Sequence, residues 1–327
     1  MLGDLTTNIS PKFEKGILTP KKTENTILRI VTRPDFDGIV CAVLIYEAEG
    51  IDEPVLWIEP GQVQNGEVTI KEGDIMANLP YDKRCSMWFD HHVSNQTDAD
   101  IPGAFALAPS AAGVAYEYYR NLGRIEKKFD ELIKATDIID AADLSRDMVL
   151  QPEKYPYLLL SMTIKNRDDS DPPYWNRLVS LLRDRNISEI IEDVEVKQRC
   201  DMVVEENRAF EKILKAHTRL DGNITITDFR EMEKAPSGNR FLVYSLFPDA
   251  MASIKIRHDH KDKNRVIVSI GRSIFNDRFQ VNIGTLLSRY GGGGHAGAGG
   301  CSMEAGNADT YLDQILAIMK KNSPIEA

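Results

Sequence analysis

The chain has 327 residues, 42% of them hydrophobic, and its 40 basic and 50 acidic side chains leave a formal net charge of −10. That length suits two domains, and that apolar content is enough to bury real cores. The acidic balance argues against a protein that clamps duplex nucleic acid along a basic stripe, but leaves room for a small anionic substrate met by a local positive cluster. Cys41, Cys85, Cys200 and Cys301 form no CxxC pair, which speaks against a zinc ribbon or a disulfide framework. With no signal-like start and no apolar run near about 18 residues, the expectation is a cytoplasmic protein without a membrane span.

Residues 1–25 are polar, carry Pro11 and Pro20, and read as an N-terminal arm. Thr26–Thr32 is rich in β-branched residues and reads as a strand. It runs into the turn Arg33-Pro34-Asp35-Phe36-Asp37-Gly38, after which Ile39–Ala48 has helical apolar spacing. A strand, an acidic turn and a helix make a βα unit whose turn lies at the strand's carboxyl end, where open α/β sheets place their ligands. Asp35 and Asp37 can hold a metal from there. Asx-turn or helix N-cap chemistry suits Asp37 nearly as well.

Pro54–Ile58, Asp74–Leu79 and Cys85–Phe89 continue the rhythm as strands. The last ends in Asp90-His91-His92, an acid and two imidazoles without an apolar side chain between them. Oxygen and nitrogen donors of this kind suit Mn, Fe, Co or Zn and need no thiol. Ser110 is placed to cap a helix with Ala111, Ala112, Val114, Ala115 and Tyr118 on its buried side. The next helix, from about Lys127, carries Asp137 and Asp140 on one face among aliphatics, so these acids need a metal or an arginine as partner.

Ile187 to Leu220 reads as one or two linking helices, and the character of the chain then changes. Ile224–Phe229, Phe241–Phe247, Ala252–Ile256 and Arg265–Ile270 alternate like strands, with His258 and His260 in a solvated hairpin turn. The stretch Arg289-Tyr290-Gly291-Gly292-Gly293-Gly294-His295-Ala296-Gly297-Ala298-Gly299-Gly300 follows. Consecutive glycine amides can form an anion nest, and a helix start beyond them would add positive field. His295, with Arg272 and Arg278 upstream, would complete a phosphate grip.

Asp35-x-Asp37-Gly38, Asp90-His91-His92, the acidic motif from Asp137 to Asp140, and Gly292-Gly293-Gly294-His295 occur in that order. Together they make residues 26–320 resemble the DHH phosphoesterase superfamily and the DHHA1 domain that accompanies it. The resemblance implies an α/β fold, with a parallel-sheet DHH domain over 26–190 and a helical linker over 191–220. A smaller α/β DHHA1 domain over 221–327 would carry its Gly-rich loop to the cleft. It also implies two divalent metals, usually Mn²⁺, with Mg²⁺ or Co²⁺ as substitutes.

In this reading Asp35, Asp37, Asn78, Asp90, His91 and Asp137 hold metal, and Asp90, His91 and His92 form the catalytic set, with His92 in acid–base work. Arg272, Gly292, Gly293, Gly294 and His295 bind substrate, and Tyr290 or Phe275 offers a face to a base. The implied reaction is hydrolysis of a phosphodiester or phosphoanhydride by in-line attack of metal-activated water. The substrate would be a small nucleotide, a short single-stranded oligonucleotide or polyphosphate, and a homodimer is compatible with the reading.

Two positions depart from the family's pattern. Val31 stands where many members carry a metal-binding His, and Asn78 where many carry a bridging Asp, with Asp74 and Asp82 as alternative counterparts. One metal site, near Asp35, is therefore expected to be weak, with activity rising beyond the first equivalent of manganese. The same departures admit a second reading, a catalytically weakened nucleotide-binding or regulatory protein.

Overall fold

β-Branched and aliphatic residues of the first strands make a short parallel sheet whose central strands are buried. In the computed structural model, which describes residues 27–51, 53–164 and 170–325, this sheet has the order β2-β1-β3-β4-β5. Its strands are β1 (Arg29–Thr32), β2 (Leu56–Trp57), β3 (Asp74–Ala77), β4 (Met87–Asp90) and β5 (Gly103–Phe105). The N-terminal arm expected over residues 1–25 lies outside the described residues. All pairings are parallel, and the register sets Thr32 beside Ala77 and Ala77 beside Phe89. The residues that follow each of these, Arg33, Asn78 and Asp90, therefore emerge together at the carboxyl edge.

α1 (Phe36–Glu49) packs on this sheet and against α2 (Ala111–Asn121), α3 (Asp130–Asp140) and α4 (Pro172–Asp184). Its residues from Phe36 to Ile45 are buried all round, as expected of a helix enclosed by other elements. The strand β5 has no apolar alternation to announce it. Gly103 makes it possible: its φ is 113°, and a Cβ there would lie 2.0 Å from the Trp88 carbonyl oxygen. Phe105 then stacks on Trp88 with centroids 5.6 Å apart.

This first unit runs to Asp143 and resumes over Pro156–Cys200; the second holds Leu144–Tyr155 and Asp201–Ala327. The linking segment is a short helix, Ile187–Ile191, followed by the 24-residue α5 (Val194–His217). The second unit has a mixed sheet in the order β10-β11-β9-β8-β7-β6. Its strands are β6 (Thr218–Asp221), β7 (Ile224–Asp228), β8 (Ala252–His258), β9 (Arg265–Arg272), β10 (Gly293–His295) and β11 (Ala298–Glu304). Ile224, Ile226, Ile254, Ile256, Val268 and Ile270 of the sheet share a core with Leu312, Ile315 and Met319, which lie on the closing helix.

Two expectations change here. Phe241–Phe247 is not a strand: Leu242–Leu246 forms a short helix, α6. A brief apolar run carries no decisive period, and tertiary partners decide it. Arg146 donates to the carbonyls of Tyr244 (3.0 Å) and Pro248 (3.2 Å) from the helix Arg146–Leu150. The glycine run is a β-hairpin, β10–β11, rather than an open loop, and a helix starts at Ala305 immediately after β11. The hairpin packs close to α7 (Ile283–Ser288), where a Cβ on Gly284 would lie 2.4 Å from the Gly294 carbonyl oxygen. The chain ends in α8 (Ala305–Lys321), and among the described residues no helix is long and apolar enough to cross a membrane.

Candidate active site

The turn after β1 is held tight from both sides. Asp35 caps α1, its Oδ1 accepting from the Gly38 amide at 2.9 Å, an arrangement that typically contributes about 1 kcal/mol. A Cβ on Gly38 would lie 2.0 Å from the Arg33 carbonyl oxygen, so only glycine admits this closure. The cap thus falls to Asp35, while Asp37 enters the first helical turn and is 1% exposed.

The next helix supplies the Asp37 carboxylate with donors. Ala111 N–H donates to Oδ2 at 3.0 Å and Ala112 N–H to Oδ1 at 2.8 Å. These are free amides of the first turn of α2, where a negative charge is favoured. Ser110 caps the same helix as expected, its hydroxyl oxygen accepting from Gly113 at 2.9 Å.

His91 completes the centre. Its Nδ1 lies 2.9 Å from the Ala108 carbonyl oxygen, which only accepts, so Nδ1 carries a proton and the neutral ring presents a lone pair at Nε2. That Nε2 is buried without a hydrogen-bond partner. It faces Asp140 Oδ2 at 3.3 Å and Asp37 Oδ2 at 4.0 Å.

A lone pair facing two carboxylates is repulsive unless a positive charge lies between them. Burial, with the neighbouring acids, pushes the Asp37 carboxyl well up and the Asp140 carboxyl up, which is the electrostatic signature of a site short of positive charge. Ligand atoms of Asp37, His91 and Asp140 all lie within 4.8 Å of one another. Two carboxylates and an oriented imidazole fit a divalent cation. The nearest thiol, Cys41, lies 4.0 Å from Asp37 Oδ1 and is held protonated, burial pushing it well up.

Of the paired acids on α3, Asp140 is the one that joins Asp37 and His91. Asp137 turns instead to Ser110, whose hydroxyl donates to its Oδ1 at 2.5 Å. Asp90, His91 and His92 also lie within reach of a common ion. The Asp90 oxygens are also hydrogen-bonded: Oδ1 accepts from the His91 amide (2.8 Å) and His92 Nδ1 (2.8 Å), and Oδ2 from Asn95 Nδ2 (2.6 Å), which leaves lone pairs on both for an ion. Asp90 thus orients His92 and, through that hydrogen bond, holds its imidazole pKa above the usual range. His92 keeps its other nitrogen available, with a 40% exposed side chain.

Asn78 stands at the carboxyl end of β3, in a left-handed conformation (φ 55°) that asparagine tolerates. Its Nδ2 donates to Asp35 Oδ1 at 2.9 Å. The two alternative counterparts lie in other ion pairs. Asp74 is held by Arg29 at 2.7 Å at the start of the strand, and Asp82 by Arg84 at 2.5 Å. Arg33, which sequence reading passed over, places Nη1 3.2 Å from Asp35 Oδ2. Its position directly before Pro-Asp in the acidic turn was the available signal.

In the second unit, Arg272 ends β9, exposed, its amide donating to the Gly297 carbonyl at 2.9 Å. A Cβ on Gly297 would lie 3.6 Å from Arg272 Nε, so the guanidinium runs along the hairpin tip. His295 is exposed on the same hairpin. Gly292, Gly294 and Gly299 lack room for a side chain against neighbouring backbone, whereas Gly293 has open space. The run therefore serves close packing as well as any ligand. Both candidate stacking residues have partners: Phe275 under Arg146 at 4.8 Å, Tyr290 on Tyr311 at 5.4 Å. His260 is exposed in the β8–β9 turn, as expected.

No protein-family model and no curated protein sequence matches the chain. Solved structures do. The pGpG-specific phosphodiesterase PggH from Vibrio cholerae is 32% identical with a TM-score of 0.80, the match covering 90% of this chain and 100% of that one. The chain belongs to the DHH phosphoesterase family. This DHH phosphoesterase is accordingly a metal-binding hydrolase of phosphoric ester bonds. RecJ from Thermus thermophilus, in complex with Mn²⁺, shares the fold at 15% identity and a TM-score of 0.56, over 92% of the DHH chain and 55% of RecJ. A second exonuclease RecJ, bound to manganese, matches at 13% identity and a TM-score of 0.52, over 94% and 96% of the respective chains.

Proposed function

We propose that this protein hydrolyses the phosphodiester of a short linear nucleotide, with a pGpG-like dinucleotide as the preferred substrate. Convergence of Asp37, His91 and Asp140 on one point, with the His91 Nε2 lone pair otherwise unpartnered, carries the reading. The full-length likeness to a pGpG-specific phosphodiesterase supports the substrate class.

Asp37, His91 and Asp140 would hold the divalent cation, Mn²⁺ or a substitute such as Mg²⁺ or Co²⁺. When bound, the cation supplies Lewis acidity toward phosphoryl oxygen and water. The α2 amides orient the Asp37 carboxyl group, and the Ala108 carbonyl keeps His91 in the ligating tautomer. His92, oriented by Asp90, is the proton donor to the leaving oxygen, a role suited to an imidazole whose pKa the Asp90 hydrogen bond raises. Arg272, the Gly292–Gly294 backbone and His295 of the second unit bind a substrate phosphate, where a guanidinium fork matches phosphate oxygens.

A panel of pGpG, a longer oligonucleotide, a nucleoside bisphosphate and polyphosphate, each incubated with Mn²⁺ and resolved by chromatography, tests this. Mononucleotide release fastest from pGpG, abolished in His91→Ala, is the expected result. Faster hydrolysis of the bisphosphate or polyphosphate would reassign the substrate.

A further inference from the structure

The acidic row at the sheet edge is held differently at its two ends. At Asp37 the donors converge on an unpartnered imidazole nitrogen, as described above. At Asp35 the donors are already matched without an ion. Oδ1 accepts from Gly38 N–H and Asn78 Nδ2, both at 2.9 Å, and Oδ2 faces Arg33 Nη1 at 3.2 Å.

The atoms a second cation would need are missing as well. Val31 is fully buried in an apolar cluster with Ile58, Met76 and Trp88 and offers no donor. A carboxylate at position 78 would repel Asp35 unless a cation lay between them, whereas the amide of Asn78 hydrogen-bonds to Asp35 directly. One neutral oxygen, Asn78 Oδ1, is left buried and unpartnered. This donor set does not fit a second divalent ion.

We propose that this chain works with one divalent cation, at Asp37, His91 and Asp140, and that Arg33 supplies the second positive charge, facing a phosphoryl oxygen of the substrate. The proposal rests on the phosphoesterase reading above. Arg33 is suited to the task. Its side chain is 33% exposed, and its Nε is buried without a hydrogen-bond partner, Glu59 Oε2 lying 3.4 Å away. A guanidinium stays charged at any working pH and presents a planar fork to phosphate. Unlike a weakly held ion it does not dissociate, so activity saturates with the first equivalent of metal. That replaces the expectation of a weak second site filling at higher manganese.

Chelator-stripped full-length protein titrated with Mn²⁺, with free and bound ion followed by electron paramagnetic resonance, tests the proposal. One equivalent bound, with a mononuclear spectrum, is the expected result, and turnover should plateau at that point. Two tight equivalents in the unmodified chain, or a spin-coupled pair, would overturn it. Arg33→Gln should keep its single Mn²⁺ yet lose at least about 100-fold in turnover, the scale of removing one charge-stabilising donor. Arg33→Lys should recover part of that loss, which separates lost charge from a disturbed turn. Arg33→Gln with unchanged turnover would remove Arg33 from the reaction. No Mn²⁺ bound to the unmodified chain, or one equivalent indifferent to Asp140→Asn, would instead sink the metal reading on which the proposal rests.

Discussion

His91 Nε2 lies 3.3 Å from the Asp140 carboxylate, while the same ring is pinned through Nδ1 to the Ala108 carbonyl at 2.9 Å. Rotation of the ring would break that second contact, so the lone pair cannot turn away from the acid it faces. The pair is therefore a fixed half-site for a cation, completed by Asp37.

Asp140 and Asp137 should separate cleanly on mutation. Asp140→Asn should weaken Mn²⁺ binding by more than about 10-fold, at least the scale of losing an outer partner of a ligand. Asp137→Ala should leave Mn²⁺ affinity near that of the parent, but cost about 1–3 kcal/mol of stability by leaving the Ser110 hydroxyl without its acceptor. Calorimetric metal titration and thermal unfolding in chelator measure the two. The reverse assignment would show that α3 presents its other acid to the metal.

Metal-free protein should become less stable as the pH rises above the ordinary carboxylate range. Burial raises the carboxyls of Asp35, Asp37 and Asp140, and neighbouring acids add to it for the last two. The folded chain therefore holds these protons to higher pH than the unfolded chain does. Stability from this source is fully present below the unfolded values and lost as pH rises through the folded ones. Mn²⁺ binds the deprotonated acids, so the increase in Tm on adding it should grow across the same window. Parallel melting curves at all pH values, with and without Mn²⁺, would contradict this.

Asp90→Asn should move the alkaline limb of kcat/KM to lower pH. The Asp90 hydrogen bond is the largest cause raising the His92 pKa, and burial opposes it. With the carboxylate gone, His92 loses its proton earlier as pH rises, and proton donation to the leaving group fails sooner. An unshifted limb would take His92 out of acid catalysis.

Arg272→Ala should lower kcat/KM by about 10- to 150-fold, matching the roughly 1.5–3 kcal/mol of a charge-assisted hydrogen bond, while Mn²⁺ stoichiometry stays as in the parent. His295→Ala should act in the same direction. Loss of metal in either variant would show that the second unit supports the metal centre rather than substrate phosphate.

Much of the first unit is legible in the sequence because its strands are buried on both faces and end abruptly in charge. Ile30–Thr32 and Met87–Phe89 are such runs, and they place Asp35, Asp37, Asp90 and His91 at one sheet edge before any coordinate is known. The motif order is equally a property of the sequence, and with it the membership of the DHH phosphoesterase family.

What stays hidden depends on contacts between distant segments. The short runs Phe241–Phe247 and Gly103–Phe105 have no period long enough to read; the carbonyls that Arg146 reaches and the close approach of Gly103 to Trp88 decide them. Asp137 and Asp140 share a helix face by spacing, and only the packing of α3 against α2 gives one to Ser110 and the other to His91. Asp90 is legible as a carboxylate at a strand end, but the hydrogen bonds it accepts from His92 and Asn95 depend on backbone curvature that residue types do not encode. Composition and spacing thus determine which chemical groups reach the sheet edge. Only the tertiary structure decides which of them face each other, because a hydrogen bond or a metal bond depends on direction within a few tenths of an ångström and the sequence specifies only order.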